Sequence, residues 1–177
     1  MKKSYLLSLM LLLMLPVFSF AQEGKEKRAN HEFNFLAMGA NVSKYKGSLA
    51  ANYTFSYKLV KDFGIGAGTG YEWMSQDAWL GDGNTKTNSY SAIPLFIDLR
   101  YDIPLNNRKL FLTGVVDTGM ICTIGDWKTY DSSWIITPQL GLKIKLYKSL
   151  CLNIRCAYRH IHTINANSIG ANIGISF

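Results

Sequence analysis

Segment after segment of this chain alternates between apolar residues and small or polar ones, and this period of two is its strongest constraint. At the carboxy-terminal end Ile169, Ala171, Ile173, Ile175 and Phe177 share one parity, while Gly170, Asn172, Gly174 and Ser176 hold the other. Successive side chains of an extended strand point to opposite faces, so the segment has one greasy and one small polar face. The pattern recurs upstream. Leu49, Ala51, Tyr53, Phe55 and Tyr57 alternate with Ser48, Ala50, Asn52, Thr54 and Ser56, and Phe63, Ile65, Ala67, Thr69, Tyr71 and Trp73 with Gly64, Gly66, Gly68, Gly70, Glu72 and Met74.

Read in order, the chain yields eight strands. A first covers His31–Val42, before a turn at Ser43–Gly47 and the two strands above, joined by a reversal at Val60–Asp62. A polar loop spans Ser75–Asn88, where Asp77, Gly81, Asp82, Gly83 and Asn84 supply turn chemistry. The fourth strand, Ser89–Asp102, sets Ile93, Leu95, Ile97, Leu99 and Tyr101 against Ala92, Pro94, Phe96, Asp98 and Arg100. Pro104–Asn107 turns into a fifth, Lys109–Ile121, which is apolar on both parities, and a second loop runs Gly125–Ser132. The sixth, Ser133–Leu146, and the seventh, from Leu150, flank a turn at Tyr147–Ser149, and a last loop covers His162–Asn167. Short and long connections alternate, as in bacterial membrane barrels.

Alternation alone does not say which face is wet. A soluble exterior is rich in Lys and Glu, whereas the polar parity here offers Gly, Asn, Ser and Thr, which suit the inside of a narrow eight-stranded barrel. The charges on that parity have both signs: Glu72 and Asp98 against Arg100, Lys143, Lys145, Arg155 and Arg159. Buried charges persist when paired and hydrogen-bonded, so an interior ion network of these residues is expected. Lys143, Lys145 and Arg159 fall near strand ends, where reaching water is the other reading. Aromatics gather at both sets of ends, Tyr57, Phe63, Tyr101, Phe111, Tyr147 and Phe177 at one and Trp73, Tyr90, Trp134 and Tyr158 at the other, as two interfacial girdles would. The expected fold is an all-β, eight-stranded antiparallel up-and-down transmembrane β-barrel.

Lys2 and Lys3 precede an apolar run from Tyr5 to Phe20 that ends in Ser19-Phe20-Ala21, the pattern of a secretory signal peptide cut after Ala21. The expected organisation is therefore a leader at 1–21, a periplasmic lead-in at 22–30 and a barrel at 31–177. The chain's charge of +7 falls by two with the leader, and its surplus is spread out, with no basic patch or motif for nucleic acid. Cys122, Cys151 and Cys156 are odd in number, and Cys151 and Cys156 differ by five along one strand, so they face opposite ways and do not bridge. They read as small buried apolar residues. No CxxC or Cys/His metal spacing occurs, and neither metal nor cofactor is expected.

Ser168–Ile175 resembles the polar-x-Gly-x-x-apolar-x-apolar signal of outer-membrane β-barrel families, closed by a terminal Phe. Ile93–Tyr101 is similar to a strand recurrent in small porin-like outer-membrane barrels. The resemblance implies export to the outer membrane of a Gram-negative cell, contact with its lipids and lipopolysaccharide, and a barrel-assembly signal at Gly170, Ile173, Ile175 and Phe177. Tyr158–His162 resembles the His-x-Ser region of lipid A deacylases, which implies His160 as general base. His162, however, stands where the nucleophile belongs, and Ser168 lies beyond the loop. Three function classes stay open: a structural or surface-interaction barrel with Trp79, Trp127 and Tyr130 as loop contacts, a small channel, and a lipid-modifying enzyme.

Overall fold

The computed structural model describes residues 28–42, 45–60, 62–79, 85–106, 109–124, 132–163 and 165–177. The expected leader, most of the lead-in, Trp127 and Tyr130 lie outside the described residues. Eight strands form: β1 (Ala29–Val42), β2 (Tyr45–Lys58), β3 (Phe63–Trp79), β4 (Thr85–Asn106), β5 (Leu110–Ile124), β6 (Ser132–Tyr147), β7 (Leu150–Ile161) and β8 (Ala166–Ser176). Each pairs antiparallel with its chain neighbours, and β1 closes the barrel against β8. Closure is fastened at one end by reciprocal backbone hydrogen bonds of 2.9 Å between His31 and Phe177. Among the described residues no strand is left as an unpaired edge, which is how a sheet satisfies its backbone without water.

The parities sort as the alternation requires. Ile97, Leu95, Leu140, Ile154, Ile173 and Ile169 are exposed on the outer face, Ile169 at 70%. Glu32, Asn52, Thr54, Glu72, Asp98, Asn172 and Ser176 are buried inside. Charges within and aliphatics without invert the arrangement of a water-soluble barrel. β5 resolves the same way, with Thr113, Val115 and Ile121 buried and Met120 exposed. Its inward Val115 and Ile121 made both of its faces look apolar.

Glycines on β3 leave room for their neighbours rather than for a ligand. A Cβ at Gly68 would strike the ring of Phe96, its cross-strand partner, which fills the lumen there. At Gly47 φ is +155° and the register with β1 shifts nearby, so a side chain would meet the Met38 carbonyl.

Several expected boundaries are corrected. Ser75–Asn88 is largely strand: Gln76 pairs with Asn88, Asp77 with Thr87 and Trp79 with Thr85. Gln76–Trp79 and Thr85–Asn88 carry no clean alternation of apolar and polar residues, so the sequence hides a ladder that continues. Trp79 thus ends a strand rather than sitting in a loop. Pro104 belongs to β4, opposite Phe111. Asn167 belongs to β8, opposite His160, so the last connection is shorter than His162–Asn167. The first strand begins at Ala29, two residues before the expected His31.

Two girdle assignments also change. Tyr90 shares the inward parity of Ala92 and packs on the interior. Phe111 shares the parity of buried Thr113 and pairs with Lys143. Trp73, Trp134, Tyr158, Tyr57, Tyr101 and Tyr147 are exposed. The cysteines are all free, but only Cys151 is buried, while Cys156 lies exposed on the outer face. The apolar outer wall has small positions of its own, which sequence parity could not separate from a core.

Candidate functional site

The lumen is a stack of layers. At the end bearing the short hairpins, Lys143 Nζ pairs with Asp102 Oδ2 at 2.9 Å, and Thr113 Oγ1 donates to Asp102 Oδ1 at 2.7 Å. Above them Asp98 takes Arg100 in bidentate fashion, Nε to Oδ1 at 3.3 Å and Nη2 to Oδ2 at 3.0 Å. Arg100 Nη1 also reaches Glu32 Oε2, and Arg155 Nη2 pairs with Glu32 Oε1. Next, Asn172 Nδ2 donates to Gln139 Oε1 at 2.8 Å and Gln139 Nε2 donates to Asp117 Oδ2. An apolar layer of Leu36, Met38, Ala50 and Ala157 follows. Beside it, with Glu72 opposite Ala50 in the β2–β3 ladder, Arg159 Nη1 pairs with Glu72 Oε1, and its Nε donates to Thr137 Oγ1 at 3.1 Å.

The far end is plugged by hydrocarbon. Met74, Ala92, Ile121, Ile135, Ile161 and Ala166 form one buried cluster, with Tyr90 packed against it. The space beside this plug, between Tyr90, Thr123 and Ser133, measures about 20 Å³, which is about one water.

Of the anticipated ion network, Glu72, Asp98, Arg100, Lys143, Arg155 and Arg159 all engage buried partners. Lys145 does not: it is exposed at the end of β6, where the register shifts before Tyr147. Sequence reasoning missed Glu32, Asp102 and Asp117. Asp102 continues the Asp98–Arg100 parity and was legible. Glu32 sits on the strand with the untidiest alternation. Asp117 faces Asp98 across the β4–β5 ladder, a relationship only register reveals. Asp117 makes no ion pair among the described residues, and Gln139 is its hydrogen-bond donor.

The outer wall carries a second polar constellation. Asn167 Oδ1 accepts the Tyr158 hydroxyl at 2.8 Å and lies 2.8 Å from His160 Nδ1. The His160 and His162 rings are edge-on, 6.3 Å between centroids. Ser168 is buried on the opposite, lumen face, so it cannot serve an outward His160 as nucleophile. Gly170, Ile173, Ile175 and Phe177 lie on β8 and at its end, Ile173 and Ile175 exposed to the outside. Phe177 stacks on His31 with centroids 5.7 Å apart, beside Phe33.

An ion-paired interior within an aliphatic wall defines the class of membrane-type β-barrels. No protein-family model matches the chain, and no curated protein does. Among solved structures it is similar to the outer membrane protein OprG of Pseudomonas aeruginosa, with a TM-score of 0.61 at 12% identity over 87% of this chain and 98% of that one. Neisserial surface protein A is similar at 0.54 and 10% identity, over 84% and 94% of the two chains. The N-terminal barrel of Pseudomonas aeruginosa OprF scores 0.50 at 10% identity, over 84% and 97%. The chain has the fold of the eight-stranded outer-membrane β-barrels.

Proposed function

We propose that this protein is an integral outer-membrane β-barrel with a closed lumen, acting as a structural or surface-interaction protein rather than as a channel or enzyme. The observation that carries this reading is the apolar plug of Met74, Ile121, Ile135 and Ile161 stacked over ion pairs that engage the lumen cations. Lys143 and Arg155, the residues a small conduction path would use, are both held by buried carboxylates. The enzymatic alternative loses support because Ser168 and His160 occupy opposite faces of the wall.

In this reading a leader at 1–21 exports the chain. Gly170, Ile173, Ile175 and Phe177 address it to the barrel-assembly machinery, and the outer wall contacts lipid and lipopolysaccharide. Trp79, Trp127 and Tyr130 are the candidate surface-contact residues of this reading. Membrane fractionation with a planar-bilayer recording tests this. The expected result is detergent-extractable, heat-modifiable protein without stepwise conductance. Recovery in the soluble periplasmic fraction sinks the location, and discrete conductance steps sink the closed lumen.

A further inference from the structure

The outward corner of β7 and β8 brings His160 and His162 together beside Asn167, although no Cys/His spacing marked it and no cluster of three metal-ligating side chains occurs among the described residues. We propose that His160 and His162 bind one divalent transition ion of the imidazole-preferring class, Zn²⁺, Ni²⁺ or Cu²⁺, at the outer rim of the barrel wall.

Three features support it. His160 and His162 are two residues apart, and their rings already approach edge-on with centroids 6.3 Å apart. Asn167 sits directly opposite His160 in the ladder, and its Oδ1 lies 2.8 Å from Nδ1. Because the same Oδ1 accepts the Tyr158 hydroxyl, it acts as an acceptor, so Nδ1 carries the proton and Nε2 the lone pair. A ring nitrogen fixed by a carbonyl in this way is the usual support of a metal-bound histidine. Finally, the backbone of His162 is anchored on both sides, its N–H to Trp134 O at 2.9 Å and its carbonyl to Asn165 N–H at 3.1 Å, while its ring is exposed and can turn.

The distances are compatible. With metal–nitrogen bonds of about 2.0–2.1 Å and a tetrahedral angle, two imidazole centres sit roughly 5 Å apart. Rotation of the exposed His162 side chain by about an ångström closes the difference. Two protein ligands leave the remaining positions to water, so the site is open, and imidazole ligation favours Zn²⁺, Ni²⁺ and Cu²⁺ over Mg²⁺ and Ca²⁺. His31, the third histidine, lies at the other end of the barrel against Tyr53 and Phe177 and takes no part.

The test uses untagged full-length protein folded in detergent, with Cys122, Cys151 and Cys156 replaced by serine so that no thiol competes. Calorimetric titration with Zn²⁺ or Ni²⁺ is expected to show one ion per barrel, and the Cu²⁺ spin-resonance spectrum is expected to show two nitrogen ligands. His160→Ala and His162→Ala each reduce affinity by more than tenfold. Asn167→Leu, which keeps both imidazoles, reduces it by about 10–100-fold through loss of orientation. A mobility shift on boiling shows that each variant is a folded barrel. Unchanged binding in the H160A/H162A double variant, or no stoichiometric binding by folded protein, overturns the proposal.

Discussion

Glu32 on β1 and Arg100 on β4 meet across the interior of the barrel, 68 residues apart in the chain, and the second oxygen of Glu32 takes Arg155 from β7. One carboxylate therefore ties three strands of the wall together at a position 0% exposed. Breaking a buried pair leaves an uncompensated charge, at about 3–5 kcal/mol. Glu32→Ala is expected to destabilise the barrel by that amount in urea unfolding monitored in lipid, with Glu32→Gln intermediate. Adding Arg155→Met to Glu32→Ala should recover part of the loss. Strict additivity in that cycle would deny the coupling.

Lys143 and Lys145 are two positions apart with opposite fates. Lys143 is buried against Asp102, and Lys145 is exposed. Lys143→Ala is expected to cost about 3 kcal/mol by stranding Asp102. Lys145→Ala should fall within about 0.5 kcal/mol of the parent, like other exposed substitutions. Equal effects on the unfolding midpoint would refute the assignment.

The plug makes a conductance prediction. Truncating Ile135 and Ile161 together to alanine opens the far end of the lumen, and planar-bilayer recordings should show current through the double variant where the parent has none. The cavity costs stability as well, about 2–5 kcal/mol per side chain, so heat modifiability must first show that the variant folds. A folded, silent double variant would mean that the ion-paired layers beneath seal the barrel unaided.

Packing between Gly68 and Phe96 predicts an allele-specific rescue. Gly68→Val overpacks the lumen and is expected to destabilise by about 1–3 kcal/mol. Phe96→Leu should be mildly destabilising alone yet improve the Gly68→Val barrel. If the double variant is worse than either single, the ring of Phe96 is not what occupies that space.

Cysteine reactivity reads the two faces directly. Cys156 is exposed on the outer wall and Cys151 buried within. A membrane-permeant maleimide should label Cys156 in the folded protein and leave Cys151 unmodified until unfolding. Labelling of Cys151 in the folded state would reverse the parity of β7.

Much of this was legible in the chain. The alternation around Leu49–Tyr57, Ile93–Tyr101 and Ile169–Phe177 determined that these segments are strands, and the small polar parity determined which face is the lumen, because a strand's period of two leaves no third option. Where that rule met no contrast it fell silent: Gln76–Trp79 and Thr85–Asn88 have no clean apolar–polar alternation, so paired strand read as loop, and β5 buries Val115 and Ile121 beside an apolar outer face. Only the tertiary structure decided which charges meet. Glu32, Arg100 and Arg155 become neighbours through barrel closure and register, Asp117 comes to face Asp98 through the same register, and Lys145 escapes through a shift at the end of β6. A local period fixes the direction of a side chain, whereas its partner across the lumen depends on how every strand in between is paired.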